Sequence, residues 1–484
     1  MSYDINANNV DCEDPAFDIG SHPVPMDASC RSAILYKQYS NTGTIGNAAG
    51  QPVSYNRQEV VFQVDPDAIS RVVLNKSYLR VGFRFAKTGT ATAIAAGDMT
   101  SIPWCPAAAA IDTAEFSISN FGSPCEQYNA DFGHSVMART LLKYSRDDLD
   151  NRDDLFFTPT IESGYDYSAA CAAVRTTALT EESLDRKTNW MMGGIDDEIF
   201  KQIPLGDIFS SCDTPIPIPS QNLRLKLRFK DRTNISYASL TSPSVASDVL
   251  ITTCELYLYT MSLSGSQLAV EANKINEPEP LMRMSYTLFE PSSKVFAAHA
   301  SLQDSAVTNL QAALVMFPVL GQTYTNGVSV NYINPYQYAL APNAAMTTSL
   351  TSVFATYNGI TTPNSPMNLS LNSSQNIEMY QAYLLLCKRS NDRNNAPALR
   401  YRDMISRPRS VAGTGAAITK YNQGPYPIIP FTFYSQTAYP KPVYSGSSLT
   451  VKFDGGATGW TAIVVKLRTA FIEVRPDQKT YVMK

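Results

Sequence analysis

The sequence has few of the side chains that enzyme and metal sites require. It contains only three histidines, His22, His134 and His299, and none has another histidine at metal-ligand spacing. The phosphate-binding motif G-x-x-x-x-G-K-[ST], the nucleophile motif G-x-S-x-G and the zinc motif H-E-x-x-H do not occur. We therefore predict structural histidines, no catalytic residue, no cofactor and no metal, and a chain that is not an enzyme.

Acidic side chains suggest two kinds of site. Residues 147–154 are rich in Asp and could offer oxygen ligands to Ca²⁺. Counted from Asp148, however, the sixth position is Asp153 rather than the glycine of an EF-hand loop. The run is therefore predicted to be a solvated turn after a helix. A glycosidase pair of carboxylates stays open, because such a pair is defined by its separation in space.

Cysteine pairs and long apolar runs are also missing. The eight cysteines show no C-x-x-C spacing, and the first residues lack the basic and apolar regions of a secretory signal. We expect free, mostly buried thiols in a reducing compartment. No apolar run approaches the ~18 residues that a membrane-spanning helix needs, so no transmembrane segment is predicted.

Charge is scarce. Charged residues make up 17% of the chain and the formal net charge is −4. A negative chain is poorly suited to neutralising phosphates, so any genome contact should be local and non-specific. The one basic segment, 388–409 from Lys388 to Arg409, is predicted to be a solvated loop. A lightly charged exterior suits a protein that buries its surface against copies of itself, and an exterior rich in Thr, Ser and Asn is the alternative.

Alternation of apolar and charged residues is the main positive signal. Leu223–Phe229 reads L-R-L-K-L-R-F, which places four apolar side chains on one face of a strand and three cations on the other. A helix, 130–144, is predicted from apolar residues three and four apart, and 380–387 is helical or extended. Strands are predicted at 57–64, 78–85, 114–121, 203–209, 223–229, 249–259, 284–288, 310–319, 336–340, 351–357, 443–453 and 463–474.

The length of 484 residues exceeds what one core usually supports, so we predict two large domains. Residues 1–50 are rich in Asp, Asn, Ser, Pro and Gly and are predicted to be an N-terminal arm. The first sandwich is predicted at 51–275 and the second at 276–484, with the boundary at N-E-P-E-P. Residues 160–190 are predicted to be a polar excursion between strands.

The order of several segments resembles a known family. Residues 203–209 read I-P-L-G-D-I-F and precede L-R-L-K-L-R-F, while I-N-P-Y-Q-Y at 333–338 precedes Y-N-G at 357–359. This series resembles the double jelly-roll major capsid proteins of Polinton-like viruses, adintoviruses and virophages, over residues 55–475. The chain is shorter than many of those proteins, and its first strands do not match theirs one for one.

The resemblance implies an all-β fold of two tandem eight-stranded antiparallel jelly rolls, with a few short helices in the connecting loops. It implies a homotrimer that forms a pseudo-hexagonal capsomer and tiles an icosahedral shell around double-stranded DNA. The implied partners are neighbouring capsomers, penton proteins and minor capsid or cement proteins, in a virion made in the host cytoplasm or nucleus. The arm 1–50, the excursion 160–190 and the basic segment 388–409 are the predicted contact elements.

Two other functions remain open at this point. A carbohydrate-binding or carbohydrate-processing β-sandwich would explain the aromatic content, with Trp104, Trp190 or Trp460 stacking on sugars. Burial in a core is the alternative for each tryptophan. A minor or vertex capsid protein is the other possibility, but such a protein does not need two jelly rolls, so the chain length favours the major protein.

Overall fold

The computed structural model describes most of both predicted sandwiches. The described residues are 34–40, 54–64, 70–87, 99–102, 105–118, 124–152, 154–157, 190–192, 198–214, 218, 222–235, 247–262, 265, 282–318, 322–325, 329–332, 338, 350–369, 376–390, 397–404, 408–409, 420–421, 428–433, 447–456, 459–474 and 480–483.

The first half forms one sandwich of two antiparallel sheets. Its strands are β1 (Ile34–Ser40), β2 (Glu59–Val64), β3 (Ser70–Lys87), β4 (Met99–Ser101), β5 (Ile111–Ile118), β6 (Glu126–Tyr128), β7 (Trp190–Met192), β8 (Ile199–Pro204), β9 (Leu223–Phe229) and β10 (Ser247–Ser262). One sheet has the order β1-β10-β3-β8 and the other β2-β9-β5-β6, while β4 pairs with β7. Numbered one to eight along the chain, the sandwich strands form a 1-8-3-6 sheet and a 2-7-4-5 sheet, which is a jelly roll.

The second half repeats this topology. Its strands are β11 (Met282–Phe296), β12 (Ser301–Asp304), β13 (Leu310–Met316), β14 (Gln322–Thr325), β15 (Ser329–Tyr332), β16 (Leu350–Tyr357), β17 (Ile360–Asn368), β18 (Pro408–Arg409), β19 (Lys420–Tyr421), β20 (Ile429–Thr432), β21 (Leu449–Gly455), β22 (Trp460–Val474) and β23 (Thr480–Met483). The order β11-β22-β13-β20 is again 1-8-3-6, and β12-β21-β16-β17 is again 2-7-4-5. The predicted fold class of two tandem jelly rolls is therefore confirmed.

The alternating strand at Leu223–Phe229 is confirmed residue by residue. Leu225 and Leu227 are fully buried, whereas Arg224 and Arg228 are exposed. β9 lies between β2 and β5 and pairs antiparallel with both. The apolar residues therefore meet the opposite sheet, and the cations stay in water.

Helices occupy connections between strands. They are α1 (Pro106–Ala110), α2 (Phe132–Lys143), α3 (Arg146–Asn151), α4 (Leu205–Ile208) and α5 (Ile377–Ser390), and single 3-10 turns lie at Ser210–Cys212, Arg232–Asn234 and Tyr401–Met404. The helix predicted at 130–144 is confirmed as α2, and the ambiguous stretch 380–387 is helical. Within the described residues, no helix has the length and apolar character needed to cross a membrane.

The prediction of a strand over 203–209 is wrong beyond its first two residues. β8 ends at Pro204, and the chain then makes the helical turn α4. The amide of Phe209 donates a hydrogen bond to the carbonyl oxygen of Leu205 at 2.8 Å. Leu205, Ile208 and Phe209 are all buried, and their spacing of three and four residues is helical rather than alternating.

Other predicted elements lie partly or wholly outside the described residues. Of the strand predicted at 336–340, the structure describes Tyr338 alone, which forms an isolated bridge with Pro318. The excursion 160–190 is described only at Trp190, the first residue of β7. Within the predicted arm, β1 pairs along β10, so residues 34–40 are a strand of the first jelly roll. The domain limits at 50 and 275 stay predictions.

β17 is the edge strand of the second 2-7-4-5 sheet. It is joined to β16 by Asn358 and Gly359, which have positive φ angles of 50° and 77° and confirm the predicted turn. Pro363 and Pro366 lie inside β17. Proline has no amide hydrogen to donate to a neighbouring strand, which is compatible with an edge position.

The core of the second roll contains an aromatic cluster. Phe296 stacks on Trp460 with 5.6 Å between the ring centroids, and it meets Phe317 and Phe453 edge to face at 5.3 and 5.5 Å. Phe296 is fully buried, and Trp460 is only 6% exposed. These rings hold β11 and β22 against β21 of the opposite sheet.

Candidate functional site at the junction of the two jelly rolls

Helix α2 of the first roll packs against both rolls. It contacts β5 and α1 of its own roll and β11, β22 and α5 of the second roll. Small residues such as Gly133 and Ala138 are buried on it together with Val136 and Leu142. A helix that is buried all round must be covered on every side, and here the second roll covers the side that faces away from the first.

Among the described residues, side-chain hydroxyl groups cross the junction and donate hydrogen bonds to backbone carbonyl groups. The Ser135 hydroxyl donates to the carbonyl of Phe289 at 2.8 Å, and the Tyr286 hydroxyl donates to that of Cys125 at 2.8 Å. The Tyr383 hydroxyl on α5 donates to the carbonyl of Leu141 at 2.7 Å. All three are buried, so their loss would leave polar groups unpaired away from water. Together with the continuous hydrophobic core, they fix one roll on the other.

His134 also takes part in the junction. Its Nδ1 lies 2.9 Å from the hydroxyl oxygen of Tyr338 in the second roll. Burial, assisted by the nearby charge of Lys230, lowers the pKa of His134 to about 3. The ring is therefore neutral at neutral pH and serves as a hydrogen-bonding group. The predicted structural role of His134 agrees with this geometry.

We expect acid to weaken the protein through His134. The pKa of this group is about 3 in the folded chain and 6.5 in its ordinary state, so the unfolded chain binds more protons between these values. Stability should thus be lost as the pH falls from about 6.5 towards 3. Thermal unfolding between pH 7 and pH 4 should show a smaller decrease of Tm for His134→Asn than for the unmodified chain. The control is His299→Asn at an exposed position, and equal decreases in all three proteins would contradict the prediction.

A buried polar network lies beneath α2. The guanidinium of Arg139 donates to the carbonyl of Asp207 at 2.9 Å and to the hydroxyl of Tyr128 at 3.1 Å. Tyr128 in turn donates to the carboxylate of Glu126 at 2.6 Å, which also accepts from the amides of residues 210 and 211. Burial and the Glu126 charge raise the pKa of Tyr128 well above its ordinary value. The tyrosine stays protonated, and the network supports the helix rather than supplying a nucleophile.

A second set of contacts fixes the end of α2. The Tyr144 hydroxyl donates to both carboxylate oxygens of Asp207, at 2.8 and 2.7 Å. Lys143 lies 3.2 Å from Asp207 and 2.8 Å from Asp213. Burial by itself would lower the pKa of Lys143, but the charges of the two aspartates outweigh it and raise the pKa. The lysine is charged and paired, so it cannot act as a general base.

The second roll contains an ion cluster between its two sheets. Lys466 on β22 lies 3.4 Å from Glu290 and 3.2 Å from Asp304, and Asp304 also pairs with Lys294. Burial alone would raise the pKa of Glu290, but Lys466 and Arg468 outweigh it and lower the pKa. Burial alone would also raise the pKa of Asp304, but Lys294 and Lys466 outweigh it and lower the pKa. Both carboxylates are ionised, so this pair lacks the protonated acid that glycoside hydrolysis requires.

The acidic run after α2 forms the short helix α3 instead of an open turn. The Ser145 hydroxyl accepts from the amide of Asp148 at 3.1 Å, and the amide of Ser145 donates to the Asp148 carboxylate at 3.0 Å. These reciprocal bonds are a capping box. Arg152 and Asp154 pair at 2.9 Å. Among the residues that the structure describes, no group of His, Cys, Asp and Glu is arranged to hold a metal ion.

The basic segment 388–409 is not a simple solvated loop. It begins in the last turn of α5, and its later part contains the 3-10 turn Tyr401–Met404 and the strand β18. Ala398, Leu399 and Met404 are fully buried, so this part packs against the core. The amide of Leu399 donates to the Tyr383 hydroxyl at 3.2 Å. The prediction of a solvated loop is corrected for these residues, because apolar side chains between the cations anchor the chain.

The structure describes the side-chain surroundings of one of the three tryptophans, Trp460. Trp460 is buried in the aromatic cluster of the second roll. Trp104 lies outside the described residues, and of Trp190 the structure describes only its place in β7. Burial in a core is the fate that the sequence favoured, and it is confirmed for Trp460.

Sequence reasoning missed most of the junction. Ser135, Tyr286 and Tyr383 contact groups 154, 161 and 242 residues away in the chain. One signal was available: α2 is rich in small and apolar residues on all sides, which predicts a helix covered by two partners. The identity of those partners depends on how the second roll sits on the first.

The repeated sheet order defines a double jelly-roll fold, and solved structures share it. No protein-family model and no curated protein matches the sequence. The crystal structure of the mavirus major capsid protein is similar with a TM-score of 0.51 and 11% identity, over 96% of this chain and 92% of that one. The PBCV-1 virus capsid is similar with a TM-score of 0.50 and 10% identity, over 95% and 98%. The Sputnik virophage structure is similar with a TM-score of 0.50 and 8% identity, over 96% of this chain and 91% of that one. At these identities the likeness establishes a shared fold.

Proposed function

We propose that this protein is the major capsid protein of a virus and has no enzymatic activity. The observation that carries the proposal is that the fold matches viral capsid structures over 95% or more of this chain. Two rolls of the same topology follow each other here, and three viral capsid structures share that arrangement over 91% or more of their own chains. A minor or vertex protein would not need both rolls. The buried junction supports the proposal because it makes the two rolls one rigid building unit.

We propose a homotrimer as the assembly unit. Two similar rolls in each chain give a trimer six similar lobes, which is a pseudo-hexagonal shape that can tile an icosahedral shell. The low content of charged residues, 17%, suits a surface that is covered by neighbours. The remaining partners would be neighbouring capsomers, penton proteins and minor or cement proteins. The shell would enclose double-stranded DNA in a virion made in the host cytoplasm or nucleus.

Light scattering coupled to size-exclusion chromatography tests the assembly unit. We expect a stable particle of three times 53.1 kDa, and negative-stain micrographs should show particles with six lobes. A monomer at all concentrations, especially one that binds glycans on an array, would contradict the proposal and favour a carbohydrate-binding sandwich. The predicted contact elements, the arm 1–50, the excursion 160–190 and the basic segment 388–409, stay part of the proposal.

A further inference from the structure

Two buried polar atoms beneath helix α2 have no hydrogen-bond partner among the residues that the structure describes. They are Nε of Arg139 and the hydroxyl oxygen of Ser210. Arg139 is 3% exposed and Ser210 is 7% exposed, so bulk water does not solvate either group. Buried polar atoms in folded proteins nearly always have a partner, because an unpaired one keeps its full cost of desolvation. These two atoms therefore point to a small bound partner.

The guanidinium group of Arg139 fixes the direction of its unpaired N–H bond. In a planar guanidinium, the Nε–H bond and one Nη2–H bond lie side by side on one edge. Arg152 uses this edge on Asp154, where Nε and Nη2 both donate at 2.9 Å. In Arg139, Nη2 donates to the hydroxyl of Tyr128 at 3.1 Å. The Nε–H bond therefore points beside the Tyr128 hydroxyl, on the side of the Glu126 carboxylate to which Tyr128 donates.

Ser210 lies next to the same carboxylate. Its backbone amide donates to Oε2 of Glu126 at 3.0 Å, and Tyr128 donates to that oxygen at 2.6 Å. The other oxygen, Oε1, accepts from the amide of Ser211. An ionised carboxylate has about four acceptor positions, so these donors leave one position open. The Nε–H bond of Arg139, the Ser210 hydroxyl and the open position on Glu126 thus belong to one small region.

The chemistry of these groups selects the ligand. Nε of Arg139 can only donate a hydrogen bond, whereas the Glu126 carboxylate can only accept one. A ligand that joins them must therefore accept from the first and donate to the second. A metal cation cannot accept a hydrogen bond, and a halide ion cannot donate one. Water does both, and it can also bond to the hydroxyl of Ser210.

We propose that one water molecule is bound between Arg139, Ser210 and Glu126 as a structural part of the junction. Its bonds to these groups give it the roughly three hydrogen bonds that are typical of buried waters. The second roll closes the site, because β11 contacts both α2 and the 3-10 turn Ser210–Cys212. The ring of Phe289 on β11 lies 5.2 Å from the Arg139 guanidinium. The water thus links two parts of the first roll at the surface on which the second roll packs.

Replacing Ser210 with alanine tests the water through the sign of the stability change. A hydroxyl without any partner would be an unpaired buried group, and its removal would raise Tm. With the water bound, the same change breaks a hydrogen bond in a connected network, so we expect Tm to fall by about 1–3 °C. Ser305→Ala is the control in an exposed turn and should leave Tm unchanged. An unchanged or higher Tm for Ser210→Ala would overturn the proposal.

A crystal structure at a resolution that shows ordered waters tests the geometry. We expect a density peak at about 2.7–3.2 Å from Nε of Arg139 and from the hydroxyl oxygen of Ser210. The peak should lose occupancy in Ser210→Ala and keep it in Ser305→Ala. Well-ordered side chains without a peak, or a direct bond from Nε of Arg139 to a protein group, would overturn the proposal.

Magnetic relaxation dispersion of the water signal tests the same site in solution. A water enclosed beneath β11 can leave only when the junction opens locally, so it should stay bound far longer than surface water. The unmodified chain should therefore hold one more long-lived water than Ser210→Ala. Equal numbers in the two proteins would overturn the proposal. The proposed capsid function does not depend on this water and would stand in that case.

Discussion

Replacing Arg139 with methionine is expected to lower the free energy of unfolding by about 3–5 kcal/mol, because the change removes one partner from a buried charged network. Arg139 is 3% exposed and donates to the carbonyls of Gly206 and Asp207 and to the hydroxyl of Tyr128. Methionine fills much of the same volume but donates no hydrogen bond. Two carbonyl groups and the nearby Glu126 carboxylate would then lose their cation in a site without water access.

Urea unfolding followed by circular dichroism measures this effect. Arg152→Met is the matched control, because Arg152 forms an ion pair with Asp154 at the surface, and such pairs contribute about 0–1 kcal/mol. The loss of unfolding free energy for Arg139→Lys should lie between those of the two methionine variants, since lysine keeps the charge but lacks the planar set of guanidinium donors. A loss below about 1 kcal/mol for Arg139→Met would show that the network does not stabilise the folded chain.

Replacing Phe296 with alanine is expected to cost about 3–5 kcal/mol, because it leaves a large cavity in a packed core. Phe296 is fully buried and contacts three other aromatic rings, including the stacked Trp460. The cost combines lost apolar contact with lost aromatic pairing. A lower thermal midpoint in scanning calorimetry is the expected result, together with a change in the near-ultraviolet signal of Trp460.

Val295, the residue before Phe296, provides the control. Val295 is 84% exposed on the same strand, so Val295→Ala should change stability by no more than about 0.5 kcal/mol. Equal effects at the two positions would mean that the aromatic cluster is not a packed core. Because both residues lie in the same strand, the difference between the two losses of stability reports the effect of burial rather than of strand propensity.

Strands with one buried and one solvent-exposed face could be predicted from their alternation of apolar and polar residues. Strands without that alternation could not. β9 matches its predicted range, and β10, β16 and β22 contain theirs completely. β17 was missed because Ile360–Asn368 is mostly exposed and carries two prolines, so neither face shows an apolar pattern. β11 runs from Met282 to Phe296, far beyond the predicted 284–288. Residues 290–295 read E-P-S-S-K-V and are half-buried or exposed, so they show no apolar alternation.

The junction was largely invisible to sequence reasoning. Its hydrogen bonds end on backbone carbonyl groups, such as that of Leu141, and every residue has a carbonyl. Only the fold decides which carbonyl a tyrosine such as Tyr383 reaches. The alternating pattern specified each sandwich separately, whereas the position of one sandwich on the other depends on contacts between residues far apart in sequence.

The edge formed by β17 restricts how copies can join. Pro363 and Pro366 have no amide hydrogen, so an incoming strand would find gaps in the ladder of donors along this margin. Repeated addition of strands from other copies, as in a fibril, is therefore disfavoured at this sheet edge. Association through side-chain surfaces is more readily reversible than the addition of strands to a sheet. Assembly of a closed shell needs this reversibility, because misplaced subunits must dissociate before the shell is complete.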